Sequence, residues 1–334
     1  MNILLSSHFF YPSVGGIEQV SLALAREFSF AGHTVKVITS TAESDLTSFP
    51  FEVFRNPSPR RLLKLVQWCD VFLHNNISLR AAWPLLIIWR PWVIAHHTWI
   101  ARMDGSVGLR DRLKLFLSRF SSNIAISQSI ADHLGVPSVV TGNPYRDDIF
   151  KRDSSAIRDR ELIFVGRLVR DKGADILIEA MRLLQSRNLR PRLTIVGSGP
   201  EANALQALVE KYQLSSQVDC VGTKTGKELA ELLNRHQIIV VPSRWLEPFG
   251  LVALEGIACG CKAIVAGCGG LVEAIGPCAI PFEHQNIGAL ADAIESTLRQ
   301  VSDWKAYWQL ANTVLSRCRA KEVALRYLEV LAGR

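Results

Sequence analysis

The sequence predicts an α/β protein of two Rossmann-like, doubly wound domains facing a central cleft, and three observations lead there. Short apolar runs recur along the chain, each followed by a Gly-, Ser- or Asn-bearing loop and then a stretch with helical spacing of its apolar residues. That alternation lapses once, across NPYRDDIFKRDSSAIRDR (143–160), and then resumes. A chain of 334 residues is long for one domain and comfortable for two, at roughly 150 residues each.

In the first half, NILLSS (2–7) reads as a buried strand, and HFFYPSVGG leads into a helix over IEQVSLALAREFSFAG. HTVKVITS (33–40) closes a βαβ unit. DVFLHN (70–75), WVIAHH (92–97), SNIAIS (122–127) and SVVTGN (138–143) are further strands, with helices expected over 108–120 and SQSIADHLG. The second series runs ELIFVGR (161–167), a helix over 173–188, RLTIVGSG (192–199), VDCVG (218–222), HQIIVVPS (236–243) and KAIVAG (262–267). The expected division is 1–148, 149–302 and a helical tail, 303–334, that packs back towards the first domain.

Composition narrows the class. Apolar residues make up 48% of the chain, enough for two cores, and no repeat or low-complexity tract occurs. Seven cysteines without a CxxC pair, and with no His at zinc-ligand spacing, read as buried thiols in a reducing cytosol. MNILLSSHFF lacks the basic start and long apolar stretch of a signal peptide. The apolar region 81–95 is interrupted by Pro84, Arg90 and Pro91, so it is no clean span of about 20 residues. The expected location is cytoplasmic, with the inner face of the membrane as a peripheral site. Net charge is +7, but residues 55–119 hold eleven Lys/Arg against three acids, an excess that lies wholly in the first half.

Ligands of doubly wound sheets bind outside the carboxyl ends of the strands, so the loops there carry the chemistry. Gly15 and Gly16 precede a helix, where free N–H groups suit a phosphate; a tight turn is the plain alternative. In GRLVRDKG (166–173), Arg167 and Lys172 give a short loop two cations, suited to a diphosphate or merely solvated. In EPFGLVALEG (247–256), Glu247 and Glu255 bracket the expected helix start at Gly250 and Leu251. Carboxylates there suit vicinal hydroxyls of a sugar or ribose; a general acid/base pair and a dipole-favoured acidic helix start are the alternatives. In GCGGLVEAIG (267–276), a Gly pair precedes Glu273 and reads as a turn. His96 and His97 end a strand, where an imidazole can bond a substrate hydroxyl or share a proton.

In this order, YPSVGGIEQ, GRLVRDKG, LTIVGSGP, PSRWLEPFGLVALEG and GGLVEAIG resemble the retaining glycosyltransferases of family 4, with the GT-B fold, over essentially the whole chain. The resemblance implies that Arg167 and Lys172 bind the donor diphosphate, helped by Gly15, Gly16, Phe249, Gly250 and Leu251. It implies that Glu255 holds the ribose hydroxyls, that Glu247 contacts the transferred sugar, and that His97 lies beside that sugar. His97, Glu247, Arg167 and Lys172 thus become the catalytic set. It implies no cofactor and no divalent metal, and a UDP-sugar donor. The sequence departs from the family at Gly256 and Lys262, which puts local packing in question.

The first domain would hold the acceptor. GLRDRLKLFLSRF combines Leu and Phe with four cations, and Trp83, Trp89, Trp92 and Trp99 lie near it in sequence. These features suit an anionic membrane surface and a glycan carried on a polyprenyl diphosphate; a solvated face is the alternative. Two other classes stay open: a nucleotide-sugar 2-epimerase of the same architecture, and a non-enzymatic nucleic-acid binder, for which no recognition motif occurs.

Overall fold

The computed structural model describes residues 1–13, 15–42, 48–101, 105–300 and 304–333. Val14 of the Gly loop, Arg102 and Asp104 of the basic stretch, and the Trp304 side chain lie outside the described residues. The chain forms two compact units, Met1–Pro144 with Cys318–Arg334, and Tyr145–Arg317.

The first unit contains β1 (Asn2–Ser7), α1 (Gly16–Phe30), β2 (Thr34–Thr39), β3 (Glu52–Arg55), α2 (Pro59–Trp68), β4 (Val71–Asn75), α3 (Leu79–Ala82), β5 (Trp92–His96), α4 (Leu109–Leu117), β6 (Ser122–Ala125), α5 (Gln128–Leu134) and β7 (Ser138–Val140). Its seven strands are ordered β3-β2-β1-β4-β5-β6-β7, all parallel. The order turns between β1 and β4. Right-handed crossovers therefore put α1 on one face and α2 to α5 on the other. The central strands read as unbroken apolar runs because both faces are covered; in β1, every residue from Ile3 to Ser7 is buried.

The second unit contains β8 (Arg160–Val165), α6 (Ala174–Ser186), β9 (Leu193–Val196), α7 (Ala202–Lys211), β10 (Val218–Cys220), α8 (Gly226–Arg235), β11 (His236–Val241), α9 (Leu251–Ala258), β12 (Lys262–Ala266), α10 (Gly270–Ile275), β13 (Ala279–Phe282), α11 (Ile287–Arg299) and α12 (Trp304–Arg317). Its six parallel strands run β10-β9-β8-β11-β12-β13, turning between β8 and β11. The tail divides between the units. In the second unit, Tyr307 of α12 donates its hydroxyl to the Cys261 carbonyl at 3.0 Å. In the first, α13 (Ala320–Leu331) packs on α1, with Tyr327 6.5 Å from Phe28, and Arg326 donates to the Thr141 carbonyl at 2.8 Å.

Both departures from the family pattern sit in packed positions. A Cβ on Gly256 would lie 2.7 Å from the Ile239 side chain, so α9 lies close on β11 there. Lys262 is buried at the start of β12, and burial lowers its pKa. All seven cysteines are free; Cys220 is exposed and Cys268 half-buried, contrary to the expectation that the thiols are buried. No described helix is long and apolar enough to cross a membrane. Of the four tryptophans, Trp83 packs on the cluster around Phe72, Trp92 lies edge-on to His74 and Trp99 edge-on to His133, leaving Trp89 exposed.

Four histidines are buried and held neutral by desolvation: His74 with its pKa lowered to about 3, and His96, His97 and His236 to about 4. A group depressed in this way contributes stability that is present above its unfolded pKa of about 6.5 and is lost as pH falls towards the folded value. Among the described residues, neither ring nitrogen of His74 has a hydrogen-bond partner. Melting temperature is therefore expected to fall as pH drops from about 6.5 to 5. His74→Phe should flatten that acid limb in thermal denaturation; identical pH profiles for variant and wild type would count against it.

Candidate active site

The site in the second unit is assembled where β8 and β11 part. The loop after β8 is anchored by Gly166 and Leu168, whose N–H groups donate to the carbonyls of Val196 (3.0 Å) and Ser198 (2.8 Å). It closes in a short turn over Arg170–Lys172, followed by Gly173 at φ +70°. A Cβ on Gly173 would stand 2.0 Å from the Pro242 carbonyl oxygen, so only glycine lets this turn approach the end of β11. The two loops are tied twice more. The Asp171 carbonyl accepts from the N–H groups of Arg244 (2.8 Å) and Trp245 (3.2 Å), and Arg244 pairs with Asp175 at 2.5 Å.

These ties bring Lys172 against Glu247, Nζ to Oε1 at 2.5 Å, and the buried Ser243 donates its hydroxyl to the same oxygen at 2.8 Å. The loop read as a mere turn, 267–270, holds the Glu247 backbone: Gly270 N–H donates to its carbonyl at 2.8 Å. Gly269, at φ +66°, lies so close that a Cβ would stand 2.8 Å from that oxygen. Arg167 is exposed on the β8 loop, and its guanidinium has no ion pair among the described residues. At the site, Arg167 is thus a cation without an ion pair among the described residues, and Lys172 is one held ready by a carboxylate.

Helix α9 starts at Leu251, with Gly250 as N-cap at φ +93° and no side-chain cap; the Ala253 N–H donates to the Gly250 carbonyl at 3.1 Å, while those of Leu251 and Val252 have no hydrogen bond among the described residues and are left to a ligand. Phe249 is buried, and only its backbone is available there. Glu255 sits inside α9, buried, and its carboxylate accepts no hydrogen bond among the described residues. Desolvation raises its pKa to about 8, opposed by the charge of Arg146. Arg146, itself in a bidentate pair with Asp148 at 2.9 and 2.8 Å, lies in the stretch read as a linker, where sequence offered no sign of its proximity to Glu255.

The remaining predicted residues lie in the first unit. His97 follows β5, with Nε2 3.1 Å from Asn75 Oδ1 and Nδ1 3.1 Å from Asn143 Oδ1, while its N–H donates to Asn76 at 2.8 Å. A neutral imidazole carries one proton, so it donates to one amide oxygen while the other Asn must present its NH2. Asn75 in turn donates to Ser21 of α1 at 2.7 Å. His96 faces elsewhere, 2.9 Å from Asn123. Asn75 and Asn143 were missed as site residues, although each ends a segment read as a strand, DVFLHN and SVVTGN. Gly15 is extended (φ −176°) and caps α1, and the Glu18 carboxylate folds over it, supplying the negative charge that a helix start favours.

Two family models match the chain: glycosyl transferases group 1 over residues 146–308, and glycosyltransferase family 4 over residues 14–136. The chain belongs to the family 4 glycosyltransferases. This transferase is 25% identical to the phosphatidylinositol N-acetylglucosaminyltransferase gpi3 subunit of Schizosaccharomyces pombe, over 90% of this chain and 73% of that protein. It is 36% identical to the D-inositol 3-phosphate glycosyltransferase of Pseudarthrobacter chlorophenolicus, over 40% of this chain and 33% of that one. Among solved structures, Anabaena Alr3699/HepE in complex with UDP superimposes with a TM-score of 0.84 at 19% identity, over 100% of both chains. The fold is GT-B, and a glycosyltransferase replaces the epimerase and nucleic-acid-binder alternatives.

Glu255 yields a pH signature. Its folded pKa, about 8, lies above the unfolded value of about 4.5, so the proton is held more tightly in the native state. Its contribution is full below about pH 4.5 and is lost as pH rises through about 8. Glu255→Gln cannot ionise. The melting temperature of the variant minus that of wild type should therefore grow from pH 5 to 8.5, at roughly 1.4 kcal/mol per unit of raised pKa. A difference independent of pH would show that the carboxyl is not perturbed.

Proposed function

We propose that this transferase moves a sugar from UDP to a hydroxyl of a lipid-linked glycan, with retention of anomeric configuration and without a divalent metal, at the cytoplasmic face of the membrane, in cell-surface polysaccharide synthesis. The observation that carries the donor reading is Glu255. A buried carboxylate with no hydrogen bond is costly unless a ligand supplies donors, and the vicinal hydroxyls of a ribose do so. Arg167, Lys172 and the first N–H groups of α9 take the diphosphate, and Glu247 takes hydroxyls of the sugar. The names of structural relatives solved with UDP and with UDP-glucose favour that base.

In the proposed step the bond from the anomeric carbon to the diphosphate oxygen breaks while the acceptor oxygen bonds to the same face. The acceptor proton passes to the departing phosphate. Negative charge grows on the diphosphate, so cations already in place lower the barrier without reorganising. The Lys172–Glu247 pair keeps both side chains extended before donor arrives, and Ser243 holds Glu247 when Lys172 turns to phosphate. Gly15 and Gly16 contribute backbone N–H groups once Glu18 yields the helix start. His97, neutral and with both ring nitrogens taken by Asn side chains, serves as a fixed wall beside the sugar.

The lipid reading is supported by α4. None of its residues is buried; Leu109 is 85% and Phe116 51% exposed, and Phe120 just beyond is 68% exposed. Arg110, Arg112 and Arg119 on the same segment are exposed and unpaired among the described residues. On the same sheet face, Leu86, Ile87 and Trp89 protrude. Exposed apolar side chains among cations suit an anionic interface.

In EDTA, UDP at about 100 times its dissociation constant should stabilise the wild type by roughly 2.7 kcal/mol, and Glu255→Ala should lose that response. Lys172→Ala should fold normally and lower kcat by about 100-fold or more; a rate near wild type would refute its role. In vesicle sedimentation, phosphatidylglycerol membranes should bind the protein at low salt and release it at high salt. Phe116→Ser with Arg112→Ser should abolish that binding, and a wild type that ignores the vesicles would end the membrane reading.

A further inference from the structure

The seven-stranded sheet has its own cavity, of about 220 Å3, outside the carboxyl ends of four strands. Ser6 comes from β1, Ser40 from just after β2, Asn56 from just after β3, and Ser78 and Arg80 follow β4. The cavity therefore straddles the β1–β4 turn in strand order, the place where open parallel sheets bind ligands. Asn56, at φ +45°, clamps the rim by donating to the Ser40 carbonyl at 3.2 Å, which leaves Arg80 and the hydroxyls of Ser6, Ser40 and Ser78 out of the framework.

Charge and hydrogen bonding here are one-sided. Among the described residues, no acidic side chain lines the cavity. Arg80 is exposed on α3, and its guanidinium has no ion pair or hydrogen bond among the described residues. The hydroxyls of Ser6, Ser40 and Ser78 likewise have no described side-chain partner, although Ser6 is buried. One guanidinium and three hydroxyls, with no carboxylate among the described residues that line the space, are matched to a tetrahedral oxyanion, which accepts from each and donates little. The volume falls below the roughly 300–1,000 Å3 of pockets that enclose a whole drug-sized ligand. It admits one phosphate and part of what it is esterified to.

We infer that this cavity is an anion subsite that takes a phosphate group of the acceptor, with Arg80 as its specificity-determining residue. The assignment to the acceptor rests on the transferase reading above; the binding of phosphate itself does not. The phosphate belongs either to a soluble sugar or polyol phosphate or to a lipid headgroup, and the same variant separates the two.

The full chain, with UDP saturating the second unit so that phosphate cannot enter there, is titrated calorimetrically with inorganic phosphate, glycerol 3-phosphate and, as neutral control, glycerol at constant ionic strength. Wild type should bind both phosphates and not glycerol, and Arg80→Gln should weaken phosphate binding about tenfold or more with UDP affinity unchanged. Sedimentation is run in parallel with vesicles carrying phosphatidic acid and with vesicles of matched charge carrying phosphatidylserine. Arg80→Gln weakening only the soluble esters assigns a soluble phosphate; weakening only the phosphatidic acid vesicles assigns a lipid headgroup. Equal affinity of wild type and variant for the soluble phosphates and for the phosphatidic acid vesicles alike, or binding of neither by wild type, overturns the subsite. If UDP itself fails to bind, the donor reading falls, while the titrations without UDP still compare Arg80→Gln with wild type. Ser78→Ala, which removes a hydroxyl but no charge, should weaken phosphate less than Arg80→Gln does.

Discussion

The second unit depends on how closely the loop after β8 approaches the end of β11. Gly173 touches the Pro242 carbonyl, and the Asp171 carbonyl takes two N–H groups from the β11 loop. From that contact follows the 2.5 Å Lys172–Glu247 pair. Neither side chain would hold its place alone, because long charged side chains lose rotamer freedom when fixed. Here the backbone is already set, and the ion pair only selects among the few remaining rotamers. The Gly269–Gly270 turn does the same for Glu247 from the β12 side. Three loops, each weakly informative alone, thus converge on one carboxylate.

The two units use burial in opposite ways. In the first, His97 is desolvated and compensated: its ring nitrogens face two amides, and its neutral form is the one the site keeps. In the second, Glu255 is desolvated and has no hydrogen bond among the described residues, with Arg146 acting through its charge. A satisfied buried group contributes to stability; an unsatisfied one costs it and stores affinity for whatever arrives with donors. The Arg80 cavity differs from both: its guanidinium is exposed, and of Ser6, Ser40 and Ser78 only Ser6 is buried.

Much of the fold was legible. Parallel strands covered on both faces become short apolar runs, and their loops carry Gly, Ser and Asn, so eleven strands could be read directly. Those missed, β3 and β13, have four residues each at sheet edges; EVFR is half-exposed and AIPF contains a proline. Edge strands need neither full apolarity nor every N–H, and their signal fades. Helix α2 was overlooked although Ser58 caps it, Pro59 opens it and Leu62, Leu65 and Val66 form its buried face. Its cations had been counted as a charge excess, but Arg55 and Arg90 of the same stretch donate to backbone carbonyls. Net charge does not distinguish a structural cation from a free one.

By itself, the sequence determined the class of fold, the strands and helices of its centre, and which loops carry cations and carboxylates. These are local properties, set by apolar spacing, turn residues and charge within a few positions. Only the tertiary structure decided which of those groups meet. Lys172 and Glu247 are 75 residues apart, and the partners of His97 lie 22 and 46 residues away. It also decided which groups stay unpaired, Glu255 and Arg80 among them. Pairing depends on distance and desolvation after folding, and neither quantity is carried by a residue or its neighbours in the chain.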